Sequence, residues 1–535
     1  MQLSRSGHVD TFCRDNLPPF DQWPELLDVP GVSYPERLNC GTALLDDVAA
    51  EHGTDRPCLH APDQRTWTYG DLVAASNRVA HVLADDLGIV PGNRVLLRGP
   101  NNQWMAAAWF GALKAGAVVV STMPLLRAGE LATIHEIAGI SATLCDHRFL
   151  DDLQSAGIDA PTIPYGGTGA DDLVARAAKH PATFAAVDTA ADDVALLAFT
   201  SGTTGRPKAT MHFHRDVLAI ADTFSQHLLH PQSDDVFTGT PPFAFTFGLG
   251  GALVFPLRVG ASTLLLEKAP PAELAGLIAR YGATVCFTAP TAYKAMLASS
   301  DVSQLKTLRA AVSAGEHLPA ATWHAFKEAT GVAIIDGIGS TEMLHIFISA
   351  AGDDIRPGST GKAVPGFVAT VLDEDGNEAP TGTPGRLAVM GPTGCRYLAD
   401  PRQQAYVHDG WNVTGDTFTR DDDGYFWYQA RNDDMIVSSG YNIAAPEVEE
   451  GVLQHPDVVE CAVVGVPDEA RGMLVKAYVV LRDGLVGDDT LVKEIQDFTK
   501  QQIAPYKYPR LVEFVSELPR TATGKLQRFR LRADA

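Results

Sequence analysis

FTSGTTGRPKAT, Phe199 to Thr210, begins at the end of an apolar stretch, VALLAF (194–199), and turns at once into hydroxyls and bare backbone. Thr200, Ser201, Gly202, Thr203, Thr204 and Gly205 contain only Ser, Thr or Gly, and Arg206-Pro207-Lys208 then sets two cations around a proline. VALLAF reads as a buried strand, so the loop opens where a strand ends, a common place for ligands in α/β sheets. Glycines let successive backbone N–H groups converge on one anion, and hydroxyls add neutral donors. A flexible Ser/Gly linker is the competing account, but a linker seldom leaves a core strand directly or carries Pro between two cations. The reading is a phosphate-binding loop. It is not a Walker A loop, G-x-x-x-x-G-K-[ST]: Gly202 and Gly205 are three apart, and Lys208 is followed by Ala209.

Outward from this loop the chain alternates helical and buried extended patterns. AGAVVV (115–120), VGASTLLL (259–266) and YGATVCF (281–287) share one grammar: a helix-like stretch ends at Gly, and Ala leads into a short apolar run. Glycine suits the left-handed residue that closes a helix, and such runs are too short for amphipathic helices. Repeated passages of this kind predict an α/β fold with largely parallel strands. PTIPYGGTGADD (161–172) reads as a surface loop. Near residue 430 the texture changes to charge, glycine and aromatics, DDDGYFWYQARNDDMIVSSGYNI (421–443). Beyond it, CAVVGVP and VKAYVVL read as strands and APEVEEGVLQH as a helix. The expected division is a large multi-layer N-terminal domain, 1–432, and a small α+β domain, 433–535.

The 535 residues allow several domains. With 42 Lys and Arg against 65 Asp and Glu, the net charge is −23. That excess of acid disfavours nucleic acids and anionic membranes, both of which need a basic face. The seven cysteines form no CxxC pair and are odd in number, which points to reduced thiols rather than a disulfide framework or zinc site. The N-terminus has no apolar h-region, and no apolar run approaches the roughly 18 residues of a membrane span. A cytoplasmic protein is expected.

FTSGTTGRPKAT closely resembles the phosphate loop of the adenylate-forming superfamily, which includes acyl- and aryl-CoA ligases, peptide-synthetase adenylation domains and luciferases. Four further motifs follow in that family's order. In DGIGSTEMLH (336–345), the resemblance implies that Thr341 contacts the α-phosphate and Glu342 helps to bind Mg²⁺, while Asp336, Gly337, Ile338, Gly339 and Ser340 lead into them. Attack at the α-phosphorus builds charge that a hard cation on oxygen ligands can neutralise. SAGEHLP (313–319), with Ser313, Ala314, Gly315 and Glu316, resembles the adenine-side loop. Ile338 stands where many relatives carry tyrosine.

NVTGD (412–416) resembles the ribose clamp, with Asp416 accepting from the ribose hydroxyls and Arg431 as the matching cation, although Ala430 replaces the family's usual glycine. In RNDDMIVSSG, Asp433 matches the hinge about which the family's small, mobile domain rotates, and Gly440 matches a position along the pantetheine channel. In PRTATGKLQR (519–528), Lys525 matches the mobile catalytic lysine. The resemblance therefore implies an acid–thiol ligase using ATP, Mg²⁺ and coenzyme A, with Lys525, Thr341 and Glu342 catalytic and Lys208 among the ATP-binding residues.

The acid is read from two segments. PPFAFTFGLGG (241–251) places Phe243, Phe245 and Phe247 at alternate positions before Gly248, so that extended backbone would turn all three rings to one side. STEMLHIF (340–347) supplies His345, three residues beyond Glu342 and therefore near it on a helical turn. Both segments resemble the benzoate-type aryl-CoA ligases, and RDNLPPFDQWPELL with YPERLNC resembles the 2-aminobenzoate-CoA ligases among them. Aromatic acid degradation is the implied setting. An aryl-acid adenylation enzyme that loads a carrier-protein thiol stays open, as does a homodimeric assembly. From other classes, a phosphotransferase would release ADP or phosphate, and a nucleotide-sensing protein would have no use for Lys525.

Overall fold

The computed structural model describes residues 3–200, 206–299, 301–431, 435–438, 441–468, 471–503, 507–520 and 526–533. Two compact units result, 1–369 with 389–412 and 370–388 with 413–535.

The first unit is built on two sheets. In one, Thr162–Tyr165, Ala142–Asp146, Arg94–Arg98, Val118–Thr122 and Val194–Thr200 lie parallel in that spatial order. Lys208–Phe213 closes the edge antiparallel to Val194–Thr200. In the other, Ser262–Leu264, Val236–Gly239, Val285–Thr288, Ala310–Ser313 and Ile334–Gly339 run parallel, and Ile346–Ser349 reverses beside the last of them. The central strands are buried at every position but Ser121, as sheets covered on both faces require. The expected mixed α/β fold is present.

The three glycine passages behave as their sequences predict. Gly116, Gly260 and Gly282 all adopt positive φ, 72°, 72° and 65°, after the helices Gln103–Lys114, Phe255–Arg258 and Pro271–Tyr281. The strands Val118–Thr122, Ser262–Leu264 and Val285–Thr288 follow within a few residues. One expectation needs correction. The start of PTIPYGGTGADD is an edge strand, Thr162–Tyr165, paired only with Ala142–Asp146. Pro164 is tolerated because a strand with one neighbour can spare an N–H.

The second unit holds an antiparallel hairpin pairing Asp416–Arg420 with Phe426–Arg431. Beside it in sequence is a sheet ordered Tyr441–Ala444, Met435–Ser438, Gly472–Leu481, Val458–Asp468, with Leu511–Phe514 parallel to Gly472–Leu481. The helix Ala445–Leu453 packs Val448 and Val452 into the core of this sheet with Val463, Val475 and Ile495. The strands and helix read from CAVVGVP, VKAYVVL and APEVEEGVLQH are all found.

All seven cysteines are buried and free of disulfides. Among the described residues no helix is long and apolar enough to cross a membrane.

Candidate active site

The strands on either side of the opening loop pair antiparallel. Thr200 pairs with Lys208 across the Val194–Thr200 and Lys208–Phe213 strands, and Ser201 to Gly205 lie outside the described residues. Arg206 pairs with Glu136 at the exposed surface, 2.9 Å away. Arg402 donates to the carbonyls of Arg206 and Pro207 at 3.0 and 3.2 Å. Lys208 points the other way. Its Nζ donates to the Tyr397 hydroxyl at 2.6 Å and sits 4.4 Å above that ring.

Tyr397 is a residue that sequence reasoning missed. It is fully buried, and its hydroxyl donates to Glu342 Oε1 at 2.5 Å, with Lys208 Nζ 3.7 Å from the same carboxylate oxygen. Burial first, and then the Glu342 charge, push the phenol far above its ordinary value, so it remains a donor at any working pH. Its place is set by backbone pairing: Met211 N–H donates to the Arg396 carbonyl at 2.8 Å, and Leu398 N–H to Ala209 at 2.9 Å. The neighbouring Arg396 forms a buried ion pair with Asp216 and lies over Phe213, 4.0 Å from its centroid. Lys208 and Tyr397 are 189 positions apart, so no local pattern announces the contact.

DGIGSTEMLH divides into a strand, Ile334–Gly339, and a turn. Ser340 Oγ accepts from Met343 N–H at 3.2 Å, and the Thr341 carbonyl lies 2.8 Å from His212 Nε2. The helical turn expected to carry His345 is absent. Leu344 instead adopts φ +68°, a strained conformation for a bulky residue, and the chain enters the Ile346–Ser349 strand directly. That reversal brings His345 close to the strand it left: a Cβ on Gly339 would lie 2.5 Å from the His345 carbonyl oxygen.

The two segments expected on the adenine side meet on adjacent parallel strands. Ser313 is in register with Asp336, and its hydroxyl donates to Asp336 Oδ1 at 2.7 Å. Burial pushes the Asp336 carboxyl up to about 7, against that hydrogen bond. Gly337 packs under Ile346, Ile338 pairs with Ile348, and Ala314 is buried. Gly315 turns at φ +87°, and Glu316 lies beside Thr291. SAGEHLP and DGIGSTE are therefore neighbours, with Glu342 leading from the same strand towards Lys208.

The alternating phenylalanines do not form an extended run. Phe245 N–H closes a turn onto Pro242, and Thr246–Leu249 is a short helix. The chain must turn here because a Cβ on Gly248 would sit 2.3 Å from the Pro242 carbonyl oxygen. Phe243 is buried, with its N–H on Asn101 Oδ1, and Phe245 is half-buried. Phe247 faces His345 at 5.7 Å between ring centroids. Phe224, Phe255 and Phe287, unmarked in the sequence reading, complete the surround at 5.4, 4.6 and 6.3 Å. Gly250 lets the backbone touch the imidazole edge, for a Cβ there would lie 2.4 Å from Cδ2. Burial lowers His345 to about 3, while the Phe247 backbone pulls weakly the other way, so the ring is neutral. Neither ring nitrogen makes a well-formed hydrogen bond.

In the second unit Asp416 pairs in register with Arg431 across the hairpin, and its N–H donates to Thr414 Oγ1. Asp433, Gly440 and Lys525 lie outside the described residues.

Glu342 offers a carboxylate 3.7 Å from Lys208 Nζ, the class of hard oxygen donor a divalent cation takes together with substrate phosphates. The residues present fit magnesium.

The profile of the AMP-binding enzymes matches residues 45–397, and that of the AMP-binding enzyme C-terminal domain matches 447–525. The chain is 35% identical to the benzoate–CoA ligase of Thauera aromatica, over 94% of this chain and 97% of that one. It is 33% identical to the 3-hydroxybenzoate–CoA ligase of Aromatoleum sp. (strain CIB), over 92% and 96%. The crystal structure of the anthranilate CoA ligase AuaEII in complex with anthranoyl-AMP aligns with a TM-score of 0.88 at 36% identity, covering 94% of this chain and 98% of that one.

Proposed function

Because the chain belongs to the AMP-binding, adenylate-forming enzyme family, we propose that it is an aryl-CoA ligase whose first substrate is 2-aminobenzoate. It is an ATP-dependent acid–thiol ligase with ATP, Mg²⁺ and coenzyme A as its reaction partners. An oxygen of the acid's carboxylate attacks the α-phosphorus of ATP and pyrophosphate leaves, giving an acyl-adenylate. The thiol sulfur then attacks the acyl carbon and AMP leaves, giving the thioester. No protein nucleophile takes part, so catalysis rests on positioning and charge neutralisation.

In this reading Thr200 to Gly205 and Lys208 cradle the phosphates, and Thr341 contacts the α-phosphate. Glu342 would hold magnesium, which supplies charge neutralisation at the phosphates when bound. Ser313 to Glu316 and Asp336 to Ser340 flank the adenine, Asp416 and Arg431 hold the ribose, and Lys525 serves adenylation. Asp433 at the domain boundary and Gly440 beside the pantetheine keep the roles the family resemblance gives them. The buried, unbridged thiols fit a reducing, cytoplasmic setting.

One observation supports the choice of acid: a neutral imidazole, His345, enclosed by four phenylalanine rings with neither nitrogen in a well-formed hydrogen bond. The rings suit a flat apolar acid, which packs offset or edge-on against them. A neutral imidazole carries one donor and one acceptor, so it discriminates in favour of a ring bearing an amine or hydroxyl over an unsubstituted one. An ortho amine also bonds to its own carboxylate, which eases desolvation. Pyrophosphate release and thioester formation, measured over benzoate, 2-aminobenzoate, 2-hydroxybenzoate, phthalate and octanoate with and without coenzyme A, test the reading. The expected order places 2-aminobenzoate first and phthalate and octanoate last. Octanoate outperforming every aromatic acid would overturn it, and so would thioester formation only with a carrier protein.

A further inference from the structure

Far along the sequence from these motifs, two histidines and two aspartates meet at the end of the helix Tyr69–His81. His81 ends that helix, and the next turn, Val82–Asp86, carries Asp85 and Asp86. His180 comes from the segment after the Leu173–Ala177 helix. That segment is tied down by Asn77 Nδ2 donating to the Ala182 carbonyl at 2.8 Å and by the His180 N–H donating to Ala177 at 3.0 Å. The His81 ring stacks on His180, with centroids 5.5 Å apart and planes within 2° of parallel, and meets the Phe184 edge at 4.9 Å.

The hydrogen bonds fix the chemistry of His81. Nε2 lies 2.9 Å from the Thr183 carbonyl, which can only accept, so that nitrogen carries a proton. Nδ1 is then the lone-pair atom of the neutral ring, and it faces Asp85 Oδ2 at 2.7 Å. Two acceptors at that distance share a proton, the position a metal ion would take over as the two atoms move apart. His180 Nε2 lies 3.0 Å from Asp86 Oδ1, and as the donor of that hydrogen bond it leaves Nδ1 as the lone-pair atom of a neutral ring. One divalent ion accepts a lone pair from each neutral ring together with the Asp85 carboxylate. A backbone carbonyl that orients a histidine through its other nitrogen is the usual support of a metal-bound imidazole.

We propose that His81, Asp85 and His180 form a binding site for a zinc-class divalent cation, with Asp86 orienting His180. The three candidate ligand atoms lie within 4.8 Å of one another. A tetrahedral zinc ion, with ligands at about 2.0–2.2 Å, holds them roughly 3.4 Å apart, so on binding the 2.7 Å separation of His81 Nδ1 and Asp85 Oδ2 widens while the longest separations shorten. Asp85 is 58% exposed and free to make that movement. Two imidazoles and a carboxylate select zinc, cobalt, nickel or copper over magnesium and calcium, which prefer all-oxygen sites. A bound ion would staple the end of the Tyr69–His81 helix to the 178–184 segment, which leads into Val194–Thr200 and the phosphate loop.

The test titrates untagged, metal-stripped full-length protein with Co²⁺ in the absence of ATP, followed by Zn²⁺ in competition. One equivalent of Co²⁺ should bind with a low-coordinate visible absorption band, and Zn²⁺ should displace it. In His180→Ala and in His81→Ala the affinity should fall by about 10-fold or more. Zn²⁺ should raise the melting temperature of the wild type and not of H180A, while adenylation without added zinc is unchanged in both. Absence of Co²⁺ binding overturns the proposal, and so does equal affinity in wild type and H180A, which would place the ion on other histidines.

Discussion

The Tyr397 hydroxyl donates to Glu342 Oε1 across 2.5 Å while accepting from Lys208 Nζ at 2.6 Å. One phenol therefore bridges the lysine of the proposed phosphate loop and the carboxylate proposed to hold magnesium, whose own ion pair is long at 3.7 Å. Tyr397→Phe removes that bond and leaves the buried ring. Hydrogen bonds to charged groups are worth about 1.5–3 kcal/mol, so adenylation should lose roughly 10- to 100-fold in kcat/KM for ATP. The magnesium requirement should rise, because Lys208 can then close on Glu342 from its present 3.7 Å. Thioester formation from supplied acyl-adenylate should be unaffected. A variant with wild-type magnesium dependence would show that Tyr397 only fills space.

In the proposed mechanism Lys525 is the residue whose role differs most between the half-reactions. Lys525→Ala should lose about 10²-fold or more in acyl-adenylate formation, the scale of one preorganised charge donor. Thioester formation from added adenylate should largely survive. Equal loss in both steps, measured by single turnover, sinks the assignment.

What the sequence made legible was local. The three Gly-Ala passages and the apolar strand before Thr200 follow from backbone chemistry within a few residues, and all were found as read. Where two local signals competed, alternation misled: Pro241, Pro242 and Gly248 force a turn through FAFTF, so only Phe247 reaches His345. PTIPY failed in the opposite sense, because Pro164 marks an edge strand as readily as a loop. Tyr397, Phe224, Phe255 and Phe287 carry no signal of their own, since what places them is pairing across long stretches of chain.

Acid should destabilise the first unit through its histidines. Burial lowers His212 and His317 to about 4, and His214 and His345 to about 3. Unfolded, these rings take up protons below about pH 6.5, whereas the folded chain keeps them neutral. The unfolded state then binds more protons, so stability falls as pH drops through 6.5 and keeps falling towards the folded values near 3 to 4. Each ring contributes a slope of up to about 1.4 kcal/mol per pH unit. Denaturant midpoints between about pH 7 and pH 5 should fall, and His345→Leu should flatten the slope by one histidine's share. An unchanged slope in that variant would mean that His345 is charged in the folded state.

Gly250 offers a change that moves His345 without removing it. A Cβ there meets Cδ2 of the imidazole at 2.4 Å, a distance that obliges the ring to shift among its phenylalanines. Gly250→Ala should therefore raise KM for the acid and leave KM for ATP near its wild-type value. If both constants rise together, the glycine serves the fold rather than the acid pocket.

The last prediction concerns what His345 reads. Its uncharged ring has one donor and one acceptor to offer and finds no well-formed partner in the protein. A polar substituent on a bound aromatic acid would supply one, and a single such hydrogen bond is worth about 0.5–1.5 kcal/mol net. His345→Leu keeps an apolar wall while removing both nitrogens. It should therefore lower kcat/KM for 2-aminobenzoate by about 2- to 12-fold and leave benzoate nearly unchanged, so that the ratio between the two acids falls. Phthalate should stay excluded in both proteins. The rings against His345 carry no charge, and a second carboxylate buried there unpaired costs several kcal/mol. Specificity constants for the three acids in wild type and H345L decide the matter. If benzoate and 2-aminobenzoate fall by the same factor, His345 shapes the slot without reading the substituent, and selection for the ortho amine must come from another side chain.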